Sequence, residues 1–410
     1  PNQITQIFVP GTLSFINGFT TFWSLSTIMA NPDLKWETTF TRNLGLDFGL
    51  FKSKLSGSIE LYDNTTKDLL INFKVSGTGY DTQYRNIGET GNKGLEVSLR
   101  GVIIDKPKFG LNVGFNIGFN RNKIISLGTM GDFGQASSWA SSEILDDYSY
   151  AKGGSIGAMY GYVSDGRYEV SDFSGYDAGT GTWILNPGVV DDNQIIGKIR
   201  PGSLKLKDIA LGDNLVTPAD QTVIGNVNPK NTGGLNLDAR FYGFDLSAVF
   251  NWIYGNNIYN ANKVEFTTGR YQFRNMIDIM AEGKRWTNLD LATGEIVNDP
   301  ATLEAMNANT TLWSPYMSRR VFSDWAVEDG AFLRLNTLSL GYTIPSAIGE
   351  KAKIQSLRLY ISAYNVFMLT NYSGFDPDVS AKRNTELTPG LDYSAYPKSR
   401  QLLFGLNLSF

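Results

Sequence analysis

The segment Phe109-Gly-Leu-Asn-Val-Gly-Phe-Asn-Ile-Gly-Phe119 shows a strict two-residue alternation. Apolar side chains occupy every second position, and glycine or asparagine fills the positions between them. Successive side chains of a strand point to opposite faces, so this segment has one apolar face and one polar face. About ten residues of a tilted strand cross the hydrocarbon core of a bilayer. The segment is therefore typical of a strand in a membrane β-barrel.

The last strand of the chain repeats this alternation. Its apolar positions are Leu402, Phe404, Leu406, Leu408 and Phe410, and only Leu403 breaks the pattern. A chain that ends on an aromatic residue inside such a strand resembles bacterial outer-membrane proteins.

The composition suits a barrel better than a helical membrane protein. The chain has 410 residues, of which 42% are hydrophobic, yet its mean hydropathy is only -0.18. No stretch is apolar for about 18 residues, which excludes membrane-spanning helices. A barrel explains both facts, because its polar lumen and loops dilute the lipid-facing residues.

Charge and residue usage exclude several functions. A net charge of -4 gives no electrostatic reason to expect nucleic acid as a partner. The absence of cysteine and histidine removes thiolate metal sites, imidazole bases and Ser-His-Asp triads. Catalysis by a pair of carboxylates stays open on this evidence.

Strand patterns recur along the chain, and the connections between them alternate between short and long. We predict nine strands, at 35–51, 54–71, 92–104, 109–127, 233–241, 244–258, 331–344, 355–370 and 398–410. The predicted long loops are 72–91, 128–232, 259–330 and 371–397. Outer-membrane barrels have short periplasmic turns and long extracellular loops, so we expect these loops outside the cell and the C-terminus in the periplasm.

A soluble β-sandwich is the alternative to this barrel, but its outer faces must be polar. The apolar face of 244–254 recurs from strand to strand and favours the membrane. A bacterial single-chain barrel needs an even number of strands, so nine are not enough to close one. Either further strands lie upstream or several copies share one barrel, and we expect the first. Residues 1–34 would end an extracellular loop of the preceding strand, and 35–410 would form the C-terminal part of the barrel.

Five segments closely resemble the SusC/RagA family of TonB-dependent transporters from Bacteroidetes, and their order and spacing match along nearly all of 31–410. They are Asn31-Pro-Asp-Leu-Lys-Trp-Glu-Thr38, Thr65-Thr-Lys-Asp-Leu-Leu70, Asn86-Ile-Gly-Glu89 with Asn92-Lys-Gly-Leu-Glu96, Ala331-Phe-Leu-Arg-Leu-Asn-Thr-Leu-Ser-Leu-Gly-Tyr-Thr-Ile-Pro345, and Tyr372-Ser-Gly-Phe-Asp-Pro-Asp378.

This resemblance implies the architecture and the partners of the whole protein. It implies a 22-stranded barrel in the bacterial outer membrane, surrounded by lipid, with an N-terminal barrel half and a plug domain. The plug and the TonB box that contacts TonB would lie upstream of this chain. A SusD-like surface lipoprotein would act as a hinged lid, and two transporter–lid pairs would form a dimer. The implied activity is TonB-dependent import of glycan oligomers or peptides.

One segment departs from the family pattern. Pro201-Gly-Ser-Leu-Lys-Leu-Lys-Asp208 and Asp220-Gln-Thr-Val-Ile-Gly225 resemble a family stretch with an acidic turn between them. Here the turn reads Asp208-Ile-Ala-Leu-Gly-Asp-Asn-Leu215, with fewer carboxylates. Calcium requires several oxygen ligands. The sequence therefore disfavours calcium here and predicts no other metal or cofactor.

Aromatic and arginine residues of the loops are the candidate contact residues. Aromatic faces stack on sugar rings and guanidinium groups bind carboxylates, so we predict cargo contacts for Trp139, Tyr148, Tyr162, Trp183, Arg285 and Trp286. Arginine and aromatic residues are also enriched at protein interfaces, so we predict lid contacts for Trp313, Tyr316, Arg319, Arg320 and Trp325. The alternative for each aromatic of the predicted cargo set is that it packs the loop itself or contacts the lid protein.

A third set of aromatics should anchor the barrel at the membrane interfaces. It consists of Phe109, Phe119, Phe241, Trp252, Tyr254 and Phe410.

Two other functions compete with import. A family member could serve as a surface scaffold or as a docking component of another outer-membrane assembly. An outer-membrane enzyme is the weakest hypothesis, because the chain has no histidine and no convincing group of residues that would activate a nucleophile on the lumen face.

Overall fold

Nine long antiparallel strands form one sheet in the computed structural model, which describes residues 5, 8–10, 23–75, 77–128, 130–140, 143–269, 273–345, 354–381 and 387–410. Each strand pairs with its neighbour in the chain, from the first strand at one edge to the last at the other. The strands are β1 Thr38–Leu50, β2 Leu55–Lys67, β3 Glu89–Lys106, β4 Phe109–Ser126, β5 Asn231–Phe241, β6 Phe244–Tyr254, β7 Phe332–Ile344, β8 Ser356–Thr370 and β9 Gln401–Ser409. The nine-strand prediction is confirmed.

The pairing register gives the sheet one continuous apolar face. Phe115 of β4 lies opposite Leu99 of β3 on one side and opposite Leu235 of β5 on the other. At the far edge, Ile361 of β8 lies opposite Phe404 of β9. Directly paired residues point to the same face, so the alternation read from single strands adds up to an apolar surface across the whole sheet.

Two predicted strands end earlier than expected. The strand predicted over 54–71 stops at Lys67, because Asp68 has a positive φ of 55° and turns the chain out of the sheet. The strand predicted over 244–258 stops at Tyr254. There Gly255 adopts a φ of 78°, a backbone conformation that glycine tolerates. In both cases the chain continues into a short strand of a smaller sheet.

The connections at one end of the sheet are tight, and those at the other end are long and folded. Phe51, Lys52 and Ser53 all have positive φ in the β1–β2 turn, and Tyr242-Gly243 joins β5 to β6. This alternation of connection lengths agrees with the prediction. Most of the loop end predicted at 1–34 lies outside the described residues.

The long loops contain their own secondary structure. Its helices are α1 Asn193–Ile196, α2 Ala261–Glu265 and α3 Pro300–Asn307, with 3₁₀ turns at Val170–Asp172, Pro218–Asp220, Asp278–Met280 and Asp324–Ala326. Among the described residues, none of the helices has the length and apolar character needed to cross a bilayer. Short strands are Phe8–Pro10, Trp23–Leu25, Ile28–Met29, Leu70–Lys74, Thr82–Asn86, Phe133–Gln135, Tyr148–Tyr150, Ala158–Gly161, Ser164–Arg167, Phe173–Asp177, Thr182–Leu185, Leu204–Leu206, Thr222–Asn226, Asn257–Asn260, Val327–Asp329 and Leu391–Asp392.

Candidate functional site

The loops after β4, β6 and β8 are the first, second and third loops, and their described residues pack together into one unit. We call this unit the loop assembly (the described residues of 127–230, 255–331 and 371–400). Its first hydrophobic core joins all three loops and includes Trp139, Tyr148, Tyr259, Phe322 and Leu391. The ring of Tyr259 stacks on Phe322 with centroids 3.7 Å apart. The assembly is therefore a packed structure with an interior of its own.

Hydrogen bonds from tryptophan and tyrosine side chains connect the three loops. The indole N–H of Trp139 donates to the Tyr259 hydroxyl at 2.6 Å. The Tyr148 hydroxyl donates to the carbonyl of Pro389 at 2.7 Å. Burial of an amphipathic side chain is stable when its polar end finds such a partner. These residues hold the assembly in one arrangement.

A second core lies within the first two loops and is built around Tyr168. The Tyr168 hydroxyl contacts the Asp192 carboxylate at 2.8 Å, and the backbone N–H of Leu206 donates to the other carboxylate oxygen at 3.0 Å. Burial raises the pKa of Asp192 to about 7 in spite of these hydrogen bonds. Each oxygen of the carboxyl group has a hydrogen-bond partner and the group lies inside the assembly, so we infer a structural role for it.

Arg320 links the first two loops through buried ion pairs. Its guanidinium lies 2.8 Å from a carboxylate oxygen of Glu265 and 3.3 Å from one of Glu143. Arg320 is 7% exposed and Glu265 is 4% exposed. A buried charge is tolerated when it is paired and hydrogen-bonded, so these contacts fix the relative position of the two loops.

The turn at 208–220, where calcium was considered, is organised by hydrogen bonds. The Asp220 carboxylate accepts from the backbone N–H groups of Ile209 and Ala210, each at 2.9 Å. Asp208 accepts from Asn214 at 2.7 Å. In the described part of the chain, no cluster of three or more acidic side chains is arranged to hold a metal. The carboxylates of this turn thus accept hydrogen bonds from backbone N–H groups.

An open groove lies between the second and third loops. Its cavity volume is about 520 Å³, and its lining includes Asn262, Phe266, Asp278, Phe375 and Tyr396. Phe375 is 76% exposed and Tyr396 is 92% exposed. Aromatic faces next to amide and carboxylate groups form the kind of surface that suits an amphipathic ligand. We call this feature the aromatic groove (260–266, 277–279, 373–375 and 394–397).

The predicted cargo residues do not gather at one surface. Trp139, Tyr148, Tyr162 and Trp286 are buried in the loop assembly, and there they pack the loops, as the alternative held. Trp183 is half-buried against Phe173 and Tyr176. Arg285 donates to the carbonyl of Met280 at 2.7 Å. A cargo contact stays a prediction for this set, and the half-buried side chains are the ones placed to make it.

The predicted lid residues divide into internal and external ones. Trp313 is buried and packs edge-on against Trp325, with ring centroids 4.5 Å apart. Arg320 belongs to the buried ion pairs described above. Tyr316 and Arg319 face solvent, although Arg319 donates to the carbonyl of Gln194 at 2.8 Å. The last two are available to a partner, and lid contact stays a prediction.

The predicted girdle residues fall at the two ends of the apolar face. At the short-turn end, Phe109 lies opposite Phe241, with ring centroids 5.0 Å apart. At the loop end, Trp252 and Tyr254 follow each other on one face of β6, and Phe119 lies opposite Leu95. Phe410 is 86% exposed. Their positions suit anchoring, which stays a prediction.

Sequence reasoning missed the aromatic groove. Phe375 stands in the family-like segment Tyr372–Asp378, which was noted for its resemblance and never for a contact role. Tyr396 carries no local signal, because only the folded third loop brings it to Phe266 and Asp278 of the second. The groove could have been suspected at Phe375 alone.

Gly202, in the Pro201-Gly-Ser motif, has a packing role that can be tested. Its φ is 84°, and an added Cβ would lie 2.1 Å from the ring of buried Trp286. We expect Gly202→Ala to lower the free energy of unfolding of the loop assembly by about 1–3 kcal/mol, measured by hydrogen exchange. Gly212→Ala is the control, because Gly212 has a φ of 66° but open space around its Cβ position. Equal effects of the two substitutions would show that the contact with Trp286 is unimportant.

Comparison with known proteins agrees with this architecture. A sequence model of the family described as TonB dependent receptor-like, beta-barrel matches residues 4–196. TonB-dependent receptor P3 of Formosa agariphila is 31% identical over 391 residues, which is 94% of this chain and 35% of that protein. TonB-dependent receptor SusC of Bacteroides thetaiotaomicron is 28% identical, with 95% of this chain and 34% of that protein covered.

The fold matches a solved structure along the whole chain. The structure of the RagAB peptide transporter superposes with a TM-score of 0.68 at 24% identity, covering 100% of this chain and 39% of that one. The chain spans about a third of the length of its curated relatives. Residues 4–196 thus match the TonB dependent receptor-like β-barrel family, and nearly the whole chain is similar to TonB-dependent receptors.

Proposed function

We propose that the protein to which this chain belongs imports glycan oligomers or peptides across the bacterial outer membrane in a TonB-dependent manner. The observation that carries this proposal is the similarity to TonB-dependent receptors along almost the whole chain. A sheet with one apolar face and one polar face supplies part of the wall of a transport barrel. Transport, and not catalysis, is the activity that the family has.

The alternation of short and long connections supports the orientation that we propose. The loop assembly stands at the outer surface, the short turns face the periplasm, and the C-terminus lies in the periplasm. A SusD-like lipoprotein covers the loop assembly, and TonB acts through a plug encoded outside this chain. Exposed Tyr316 and Arg319 are the side chains of the predicted lid set that support such a contact.

The aromatic groove is the cargo contact that we propose within this chain. It offers the faces of Phe375 and Tyr396 together with the amide of Asn262 and the carboxylate of Asp278. Ring faces stack on the CH faces of sugars, and the polar groups bind hydroxyls. Peptides with apolar side chains fit the same surface, so the groove is compatible with either cargo.

The first test is purification of the full-length protein from detergent-solubilised outer membranes, followed by mass spectrometry of what accompanies it. We expect a stoichiometric SusD-like lipoprotein and a bound oligosaccharide or peptide. Recovery with other envelope machinery and without a lid would favour the scaffold function instead.

The second test addresses the groove. We expect Phe375→Ala with Tyr396→Ala to weaken cargo binding by about tenfold, because two aromatic contacts are lost. Phe273→Ala is the control, since Phe273 is 98% exposed and outside the groove lining. Equal binding by all three proteins would remove the groove from the proposal.

A further inference from the structure

The apolar face carries charged side chains at the loop ends of β1–β4. On this face the outward positions of β5 to β9, all of them described, hold only uncharged residues. The outer basic cluster consists of Arg42, Lys67, Lys93, Arg121 and Lys123, and two acidic residues, Asp63 and Glu89, accompany it. The chain as a whole has a net charge of -4, so the sign of the charge in this cluster is opposite to that of the whole chain.

The register fixes the direction of these side chains. Arg42 lies opposite Asp63, Asp63 lies opposite Lys93, and Lys93 lies opposite Arg121. Each of them shares its face with the apolar residues of its own strand, such as Leu44 of β1. Adjacent strands are about 4.8 Å apart, so this row crosses about 15 Å of the outer wall. The row therefore points away from the lumen.

The two acidic residues neutralise only two of the five cations. The Lys93 ammonium lies 2.9 Å from a carboxylate oxygen of Asp63, and Lys67 lies 3.7 Å from Glu89. The Arg121 guanidinium donates to the backbone carbonyls of Asn120 and Lys230, which holds it in place without neutralising it. In the described part of the chain, Arg42, Arg121 and Lys123 have no acidic partner.

We infer that the outer basic cluster binds the phosphate groups of a phosphorylated glycolipid in the outer leaflet. The inference rests on the proposed orientation, which puts the loop ends of the strands at the outer surface. Guanidinium and ammonium groups at a membrane surface attract anionic headgroups, and arginine is suited to phosphate. Phe40, 56% exposed on the same face, lies next to Lys67 and supplies an apolar contact for acyl chains.

Native mass spectrometry of the detergent-purified full-length protein tests this site with diphosphoryl lipid A as the probe. We expect the triple variant Arg42→Gln, Arg121→Gln, Lys123→Gln to bind the probe at least about tenfold more weakly. The matched control is Lys52→Gln, Lys54→Gln, Lys108→Gln, which removes three cations from the short turns at the opposite end. It should bind the probe as the parent does.

Two further probes identify the ligand. Dephosphorylated lipid A should bind weakly to all variants, and phosphatidylglycerol should bind weakly to the parent. Equal binding of phosphatidylglycerol and lipid A, or equal losses in the two triple variants, would overturn the assignment. Replacing Arg42 and Arg121 by lysine should keep most of the binding, which separates loss of charge from misfolding. This experiment measures lipid binding by the purified protein, whereas the transport proposal is tested by the lid and cargo that co-purify. The failure of one proposal can therefore be distinguished from the failure of the other.

Discussion

Phe115→Arg should lower the stability of the membrane-folded protein by about 2–4 kcal/mol. Phe115 lies near the middle of β4 on the apolar face, between Leu99 and Leu235, with its ring 5.7 Å from that of Trp252. A guanidinium placed there loses its hydration in the hydrocarbon, and such substitutions cost this amount near the midplane of a barrel. The measurement is the yield of folded full-length protein in the membrane, followed by its denaturant midpoint.

Asn116→Arg is the matched control for this substitution. Asn116 is the next residue of the same strand and points to the polar face, where it lies opposite Ser98 and Gly234. We expect this variant to fold with nearly the parent yield, because its guanidinium reaches water in the lumen. Similar yields for the two variants would show that the apolar face of β4 does not contact lipid.

The sheet could be predicted because its determinants are local. A strand exposed to lipid on one side and water on the other shows a period of two in its own sequence. The pairing of β4 with β3 then follows from the short turn between them, and its pairing with β5 follows from the order of the strands. The strand ends could not be predicted as well. The breaks at Asp68 and Gly255 depend on positive backbone φ angles, and the alternation of apolar and polar residues carries no information on these angles.

The loop assembly could not be predicted because its determinants are distant in the sequence. Trp139 is buried through a partner, Tyr259, that follows 120 residues later. Tyr148 is fastened to Pro389, 241 residues away. An aromatic residue in a long loop has the same local sequence whether it packs inward or faces a ligand. Loop length and aromatic content indicated function, and the division into interior and surface needed the fold.

Arg320→Met should lower the free energy of unfolding of the loop assembly by about 3–5 kcal/mol, the usual cost of removing one partner from a buried ion pair. The substitution leaves Glu265, 4% exposed, without one of its cations, while Arg274 continues to contact it. Glu143 also loses the guanidinium that joins the first loop to the second. Hydrogen exchange of the segments around 143 and 265 in the full-length protein measures the change.

Arg319→Met separates this structural role from lid binding. Arg319 is the neighbouring residue, was predicted for the same interface, and has an exposed side chain with one hydrogen bond to a carbonyl. Its replacement should change the stability of the assembly by less than about 1 kcal/mol. If the lid contacts this region, Arg319→Met should weaken capture of the lipoprotein while exchange rates stay at parent values. Arg320→Met should raise the exchange rates first, and any loss of the lid would then follow from the loosened loops.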